Sequence, residues 1–197
     1  MIETTFFELP LLTVPGRVMR PRPASEQLVA TALAFIGPRP ARVVDVGTGS
    51  GALAVTIAGA APAARVWATD TSLDAVRVAR ANVERHGLAK RVAVRHGSLL
   101  DPVPGEIDLV VANLPYLPLA EAPFRPDLAG EPREAVFAPG DGLDPYRRLI
   151  EACATRLGPD GAVAIQLHRR VLAARGDELC RLRNEIEAAS TAFAEAA

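Results

Sequence analysis

The sequence contains little cysteine and little histidine. Its two cysteines are Cys153 and Cys180, and its three histidines are His86, His96 and His168. Two cysteines cannot build a disulfide framework, and neither of them has metal-ligand spacing with a histidine. These absences exclude a disulfide-stapled secreted domain, predict no metal site and indicate the reducing cytoplasm as the compartment.

Long hydrophobic runs and a dominant charge are also missing. The uncharged, largely apolar run at residues 51–64 is short for a membrane span and contains Pro62, and no charged-then-apolar leader opens the chain. The formal net charge is −1, so no overall positive field attracts nucleic acid. We therefore expect no membrane partner, and nucleic acid is a disfavoured partner.

Hydrophobic residues make up 49% of the 197 residues, which suits one α/β domain with a sizeable core. A helix with apolar residues at three-four spacing starts at Ser25, its predicted N-cap, and stops at Gly37 and Pro38. Five short apolar blocks are predicted strands, at residues 43–46, 65–69, 91–95, 107–112 and 161–167.

The stretch 42–58, RVVDVGTGSGALAVTIA, is the one around which the chain is organised. A short buried strand around Asp45 is followed by Gly47, Gly49 and Gly51, which turn the chain into an alanine-rich helix. Because glycine has no Cβ, the backbone can take positive φ and let a flat or charged ligand lie against the start of that helix. The pattern predicts a ligand over the turn.

Two classes of cofactor use such a turn. Gly47, Gly49 and Ala52 fit the dinucleotide pattern G-x-G-x-x-G/A, and Asp70 lies roughly 20 residues further on, where a ribose-binding acid belongs. Asp45 favours the other class, because its carboxylate repels a pyrophosphate and attracts a cofactor that carries an ammonium and a sulfonium. The segment resembles motif I of the class I S-adenosylmethionine (SAM) methyltransferases, in which this acid lies near the amino-acid end of the cofactor.

The resemblance implies a Rossmann-like, doubly wound, mainly parallel sheet, with SAM as cofactor and S-adenosylhomocysteine as product. Asp70, at the end of a strand, would accept both ribose hydroxyls. Ser98 would offer one oxygen to the adenine amino group, and Leu99 would pack on the adenine face. The cofactor-binding residues implied are Asp45, Gly47, Thr48, Gly49, Gly51, Asp70, Thr71, Ser98, Leu99 and Asn113.

The tetrapeptide Asn113-Leu114-Pro115-Tyr116 directly follows the fourth predicted strand. It resembles the NPPY motif of methyltransferases that act on nitrogen in a planar, conjugated group, such as a glutamine amide or the amino group of adenine. By that resemblance these four residues are catalytic. The Asn113 oxygen and the Leu114 carbonyl would accept both N–H groups, fixing the nitrogen opposite the methyl and stabilising its developing charge. Tyr116 would wall the acceptor pocket.

Residues 131–149 read EPREAVFAPGDGLDPYRRL, and residues 20–26 read RPRPASE. The first segment resembles EPR…ALFGG.DGL..YR, and the second resembles PRP[DE]TE, of the HemK/PrmC branch, whose members methylate the glutamine of the GGQ motif in peptide-chain release factors. The resemblance extends over about residues 9–167 and implies a release factor as the protein partner. It also implies that Glu131 and Arg133 order the acceptor loop.

The chain departs from the branch in three ways. Leu114 stands where the family has proline, which removes a fixed φ and leaves both turnover and the acceptor open. The branch usually has a helical N-terminal domain, and we expect none before Met1. A class I sheet normally ends in an antiparallel strand pair, but after Leu167 apolar residues recur at helical spacing: Leu179, Leu182, Ile186, Ala189 and Phe193.

These patterns predict three segments. Residues 1–24 form an extended arm or hairpin, 25–167 a SAM-binding methyltransferase domain, and 168–197 a helical extension that packs on the sheet or pairs with a second copy. Without the terminal strand pair, the strand at 161–167 is an exposed edge, which makes a homodimer possible.

The predicted function is SAM-dependent methylation of a protein side-chain amide. The alternatives are an adenine in nucleic acid or a small metabolite as the acceptor, or a SAM-binding protein without turnover. A nicotinamide dehydrogenase is a more remote alternative, which NAD binding tighter than SAM binding would support.

Overall fold

The computed structural model describes residues 1–167 and 192–196. Within these residues the helices and strands are, in chain order, β1 (Ile2–Phe6), β2 (Leu9–Thr13), α1 (Ser25–Ile36), β3 (Ala41–Val46), α2 (Ala52–Ala60), β4 (Ala64–Asp70), α3 (Leu73–Arg85), β5 (Val92–His96), β6 (Ile107–Ala112), β7 (Leu117–Pro118), α4 (Arg133–Val136), β8 (Phe137–Ala138), α5 (Asp144–Ala154), β9 (Leu157–Gln166) and β10 (Ala192–Ala196). Two short 3₁₀ helices, Leu119–Phe124 and Pro126–Leu128, lie between β7 and α4.

The central sheet has six strands in the order β10-β9-β6-β3-β4-β5, and all neighbouring strands are parallel. From β3 the chain first extends the sheet through β4 and β5, and then returns to place β6 on the other side of β3. This reversal is the point at which open α/β sheets bind ligands, at the carboxyl ends of the strands. The predicted α/β, mainly parallel fold is confirmed.

Apolar side chains along each strand point alternately to the two faces of the sheet, which explains why helices cover both faces. In β6, Leu109 and Val111 point into a core shared with α1, α2 and α3. Val110 and Ala112 point into a second core, which contains Tyr146 and other buried residues of α5. Because successive side chains of a strand face opposite ways, a strand with an unbroken apolar run must be covered on both sides.

In the N-terminal arm, β1 and β2 are antiparallel and form a hairpin. Asn82 of α3 fastens it to the domain. Its Oδ1 accepts from the Leu12 N–H at 2.7 Å, and its Nδ2 donates to the Leu12 carbonyl at 2.9 Å and to the Ser50 carbonyl at 2.7 Å. One buried amide therefore connects the hairpin, α3 and the glycine turn.

Three local expectations differ from the structure. Ser25 is not an N-cap: it lies inside α1, where Ala24 holds the cap position, and its hydroxyl bonds Asn113 instead. The strand β9 is not an edge, because β10 pairs with it in parallel register. Residues 192–196, which include Phe193, form that strand and not a helix, since pairing satisfies backbone groups that β9 would otherwise expose.

The remainder of the predicted helical extension, residues 168–191 and 197, lies outside the described residues. In the described part of the chain, no antiparallel pair borders β9. No helix among the described residues is both long enough and apolar enough to cross a membrane.

Candidate functional site

The glycine turn after β3 is shaped by close packing from two sides. Gly47 has φ +70°, and a Cβ there would lie 2.7 Å from Cδ2 of Leu114. Gly51 has φ +81°, and a Cβ there would lie 3.2 Å from the Cα of Ala79 in α3. Gly49 has open space where its Cβ would be. Thus Gly47 and Gly51 allow neighbouring elements to approach, whereas Gly49 leaves room for a ligand.

A pocket of about 390 Å³ lies over this turn, at the carboxyl ends of β3, β4, β5 and β6. Its size is that of a small-molecule site. Nine of the residues predicted from the sequence line it: Gly47, Gly49, Asp70, Thr71, Ser98, Leu99, Asn113, Leu114 and Pro115. Four predicted residues do not line it: Asp45, Thr48, Gly51 and Tyr116.

Asp70, at the end of β4, joins the turn to the start of α3. One carboxylate oxygen accepts from the Gly49 N–H at 2.9 Å and the other from the Ser72 N–H at 2.8 Å. Burial raises the pKa of Asp70, although these backbone hydrogen bonds favour its charged form. Each oxygen retains a lone pair, so the carboxylate can still accept two hydroxyls of a ligand.

Asp45 lies beneath the turn, away from the pocket surface. It is completely buried, and its Oδ2 accepts from Thr48 Oγ1 at 2.6 Å and from the Ala54 N–H at 3.1 Å. Its Oδ1 has no hydrogen-bond partner among the described residues. Burial raises the pKa of Asp45 to about 7, with Asp70 adding to the effect. In this structure Asp45 therefore holds the turn and the first turn of α2 together.

The raised pKa of Asp45 predicts that stability falls as the pH rises. The folded state binds a proton that the unfolded chain releases near pH 3.8, so the free energy of unfolding decreases between about pH 4 and pH 7. Asp45→Asn keeps an oxygen for Thr48 and Ala54 but cannot ionise. We expect its free energy of unfolding to change little between pH 5 and pH 8, whereas that of wild type falls by on the order of 2–3 kcal/mol over the same range.

Urea unfolding of the protein without added ligand, at both pH values, measures this difference for Asp45→Asn. The wild-type curves are the reference. Equal pH dependence of the two proteins would show that the Asp45 carboxyl does not titrate near neutrality.

The Asn113-Leu114 segment lies beside the glycine turn because β6 and β3 are neighbours, with Ala112 opposite Val46. Nδ2 of Asn113 donates to the Ser25 hydroxyl at 3.1 Å. The Leu114 carbonyl accepts from the Tyr146 hydroxyl at 2.9 Å. The predicted acceptor groups therefore stand side by side at the pocket wall, each held by a residue from another helix.

Tyr146 also connects the ends of two strands. Its hydroxyl lies 2.9 Å from both the Leu114 carbonyl and the Gln166 carbonyl, and its single proton can serve only one of them at a time. Tyr146 is fully buried, and burial raises its pKa well above the ordinary value, so the phenol stays neutral and remains a donor. The Leu114 carbonyl keeps a second lone pair for a substrate.

The acceptor side of the pocket is closed by contacts between distant segments. Glu131 accepts from the Arg20 N–H at 3.3 Å and pairs with the Arg22 guanidinium at 3.5 Å. It thereby fastens the N-terminal arm to the segment before α4. Arg133 is exposed at the start of α4. Tyr116 is partly buried beside the second core, and burial raises its pKa.

On the adenine side of the predicted site, the chain after β5 takes a constrained path. Leu99 has φ +45°, and Thr69 Oγ1 donates to its carbonyl at 2.8 Å. Gly97 lies so close to Pro102 that a Cβ would come within 2.9 Å of that ring. These contacts hold Ser98 and Leu99 at the pocket wall.

The chain matches a protein-family model and is similar to solved structures. The family model described as "Methyltransferase small domain" matches residues 23–122, which is half of the chain. The chain belongs to this methyltransferase family. The solved structure of ribosomal protein L11 methylase from Lactobacillus delbrueckii subsp. bulgaricus is similar to it, with a TM-score of 0.59 and 26% identity, over 83% of this chain and 70% of that one.

Curated relatives named release factor glutamine methyltransferase are also similar to this methyltransferase-family chain. The protein from Gloeobacter violaceus is 43% identical over 175 residues, which cover 87% of this chain and 60% of the relative. The protein from Moorella thermoacetica is 41% identical over 165 residues, which cover 82% of this chain and 58% of the relative. The predicted resemblance to the HemK/PrmC branch is confirmed. The chain spans less than two thirds of the length of these relatives.

Several pocket residues of this methyltransferase chain were not expected from the sequence. The N-terminal arm and the segment from α4 to α5 both contribute to the pocket wall. A signal for part of this wall was present in the sequence, because residues 131–149 match the HemK/PrmC branch. The local pattern of residues does not show, however, which of these side chains face the pocket. The additional lining residues include Arg17, Val18, Met19, Pro132, Glu134, Ala135, Pro139, Asp144, Pro145 and Arg148.

Proposed function

We propose that the chain transfers the methyl group of SAM to the side-chain amide nitrogen of a glutamine in a protein, with a peptide-chain release factor as the substrate. The observation that carries the proposal is the placement of Asn113 and the Leu114 carbonyl beside the glycine turn, in one pocket. The names of the relatives from Gloeobacter violaceus and Moorella thermoacetica support the choice of substrate.

The residues of the pocket fit SAM. Gly49 leaves open space over the turn, and Asp70 keeps lone pairs for a ribose diol. Oδ1 of Asp45, which has no hydrogen-bond partner among the described residues, lies beneath the turn, where the charged form of the carboxyl would favour a cationic ligand and such a ligand would in turn lower the pKa that burial raises. Ser98 and Leu99 provide a wall for the adenine, and Thr71 lines the same pocket. This set accommodates a nucleoside that carries a positive charge.

Bound SAM supplies a methyl carbon whose bond to sulfur breaks as the acceptor nitrogen forms its new bond, the electron pair staying on sulfur. The chain's own residues orient that nitrogen. The Asn113 oxygen and the Leu114 carbonyl accept its N–H groups, and both stabilise the positive charge that develops on it. The nitrogen then loses its proton to solvent water. This arrangement needs no strong base before the attack.

Leu114 in place of the family proline is compatible with turnover. Its side chain is buried and packs against Gly47, so it lies on the turn side of the motif. Its carbonyl is held by Tyr146 rather than by a fixed φ. This packing supports a working enzyme over a SAM-binding protein without turnover, and it gives no preference to a nucleic acid or a metabolite as acceptor.

The proposal also covers the domain organisation, the compartment and the oligomeric state. Residues 25–167 form the SAM-binding domain, and the hairpin and arm before it close the pocket. The enzyme acts in the cytoplasm, in keeping with its lack of a disulfide framework. A homodimer would have to use a surface other than the β9 edge, which β10 covers.

Transfer of labelled methyl from SAM tests the proposal. The chain is incubated separately with a release factor, with nucleic acid and with a small-molecule extract. We expect label in the release factor, and no label when the glutamine of its GGQ motif is replaced by alanine. Label in either other pool would reassign the acceptor. SAM binding without label in any pool would contradict catalysis, and NAD binding tighter than SAM binding would contradict the cofactor.

A further inference from the structure

Ser25 contacts the acceptor motif although it is distant from it in sequence. Its hydroxyl lies 3.1 Å from Nδ2 of Asn113, 88 positions further along the chain. Ser25 is 5% exposed and does not line the pocket. The hydroxyl therefore lies behind Asn113, on the side away from a ligand, and the helix-capping role predicted for it is absent.

The position of Ser25 is fixed by the turn that precedes α1. Its own N–H donates to the Arg22 carbonyl at 2.9 Å, and the Glu26 N–H donates to the Pro23 carbonyl at 2.9 Å. The Glu26 side chain in turn accepts from the N–H of Phe7, in the hairpin, at 3.3 Å. These hydrogen bonds of the arm and of the first turn of α1 thus fix the position of the Ser25 hydroxyl.

An asparagine amide has a donor end and an acceptor end of nearly equal size. Rotation by 180° about its last side-chain bond exchanges them at little steric cost. Only one orientation of Asn113 suits an acceptor that presents N–H groups, because the side-chain oxygen must face it. With Nδ2 bonded to Ser25, the oxygen is the end of the amide opposite Ser25.

We propose, on the basis of the proposed function, that Ser25 is a positioning residue that holds the Asn113 side chain at the pocket wall, with the amide nitrogen bonded to the Ser25 hydroxyl and the amide oxygen left for the substrate nitrogen. The Ser25 hydroxyl touches neither substrate nor cofactor and acts through Asn113. The arm motif RPRPASE therefore contributes a residue that positions the acceptor motif.

Ser25→Ala removes the hydroxyl and adds no volume. We expect kcat for methyl transfer to fall about 10- to 100-fold, with the SAM Kd and the KM for the release factor within about twofold of wild type. Ser25→Thr keeps the hydroxyl and should restore most of kcat. The matched control is Thr56→Val, which removes another buried hydroxyl, one that donates to the Ala52 carbonyl within α2. Its kcat should equal that of wild type.

The second readout is the side-chain amide resonance of Asn113, assigned by its loss in Asn113→Asp. We expect Ser25→Ala to shift this resonance, and Ser25→Thr and Thr56→Val to leave it in place. A wild-type kcat in Ser25→Ala, or an unmoved resonance, would overturn the role of Ser25. If wild type transfers no methyl to a release factor, the proposed function fails, and the resonance still decides whether Ser25 holds the amide.

Discussion

Replacing Asn113 by alanine is expected to lower kcat for methyl transfer by about 10²–10³-fold. The variant loses the side-chain oxygen that accepts from the substrate nitrogen, and with it part of the stabilisation of the charge that develops there. The backbone carbonyl of Leu114 remains in place, since its partner Tyr146 is unchanged. One of the two acceptors therefore survives and some activity with it.

The comparison with Asn113→Asp separates the loss of the oxygen from the loss of packing. Aspartate keeps an oxygen that can accept from the substrate, so it should retain more activity than alanine. The SAM Kd, measured by calorimetry, should change by less than about tenfold in both variants, because Asp70 and the glycine turn are intact. An alanine variant with more than about one tenth of the wild-type kcat would show that Asn113 does not orient the acceptor.

The second large effect is expected at Gly142, in the loop before α5. Gly142 has φ +90°, and a Cβ there would lie 2.3 Å from the Tyr116 carbonyl oxygen and 3.0 Å from the backbone nitrogen of Pro118. Both are backbone atoms, so Gly142→Ala must displace the acceptor motif or the loop. We expect a loss of about 2–4 kcal/mol in the free energy of unfolding and a fall of about 100-fold in kcat.

Gly140 in the same loop offers the matched control. It also has positive φ, +63°, but its nearest neighbour to an added Cβ is Asp144 Oδ2 at 3.9 Å. Gly140→Ala should therefore cost about 1 kcal/mol of backbone strain, because of the positive φ, but cause no steric clash. We expect this variant to retain most of the wild-type kcat. Both variants are compared by urea unfolding and by methyl transfer in conditions where they are folded. Identical behaviour of the two would show that the loop does not position the motif.

Local patterns in the sequence determined the order of the elements. Blocks of β-branched residues marked five strands, and the glycine spacing after Asp45 marked the turn. The placement of a ligand there follows because the carboxyl ends of parallel strands share one edge. The same local reasoning was wrong for residues 192–196, where the spacing of apolar residues predicted a helix. These residues form a strand because they pair with β9, a contact that the local sequence does not show.

The sequence by itself thus determined the fold class, the family resemblance and nine residues that line the pocket, because these depend on short-range periodicity and on motifs contiguous in the chain. Only the tertiary structure decided that Asp45 is buried beneath the turn and that Ser25 and Tyr146 hold the acceptor motif. The physical reason is distance along the chain. Ser25 and Asn113 are 88 positions apart, and Tyr146 and Leu114 are 32 apart, so their hydrogen bonds exist only once the sheet has brought helices and strand ends together.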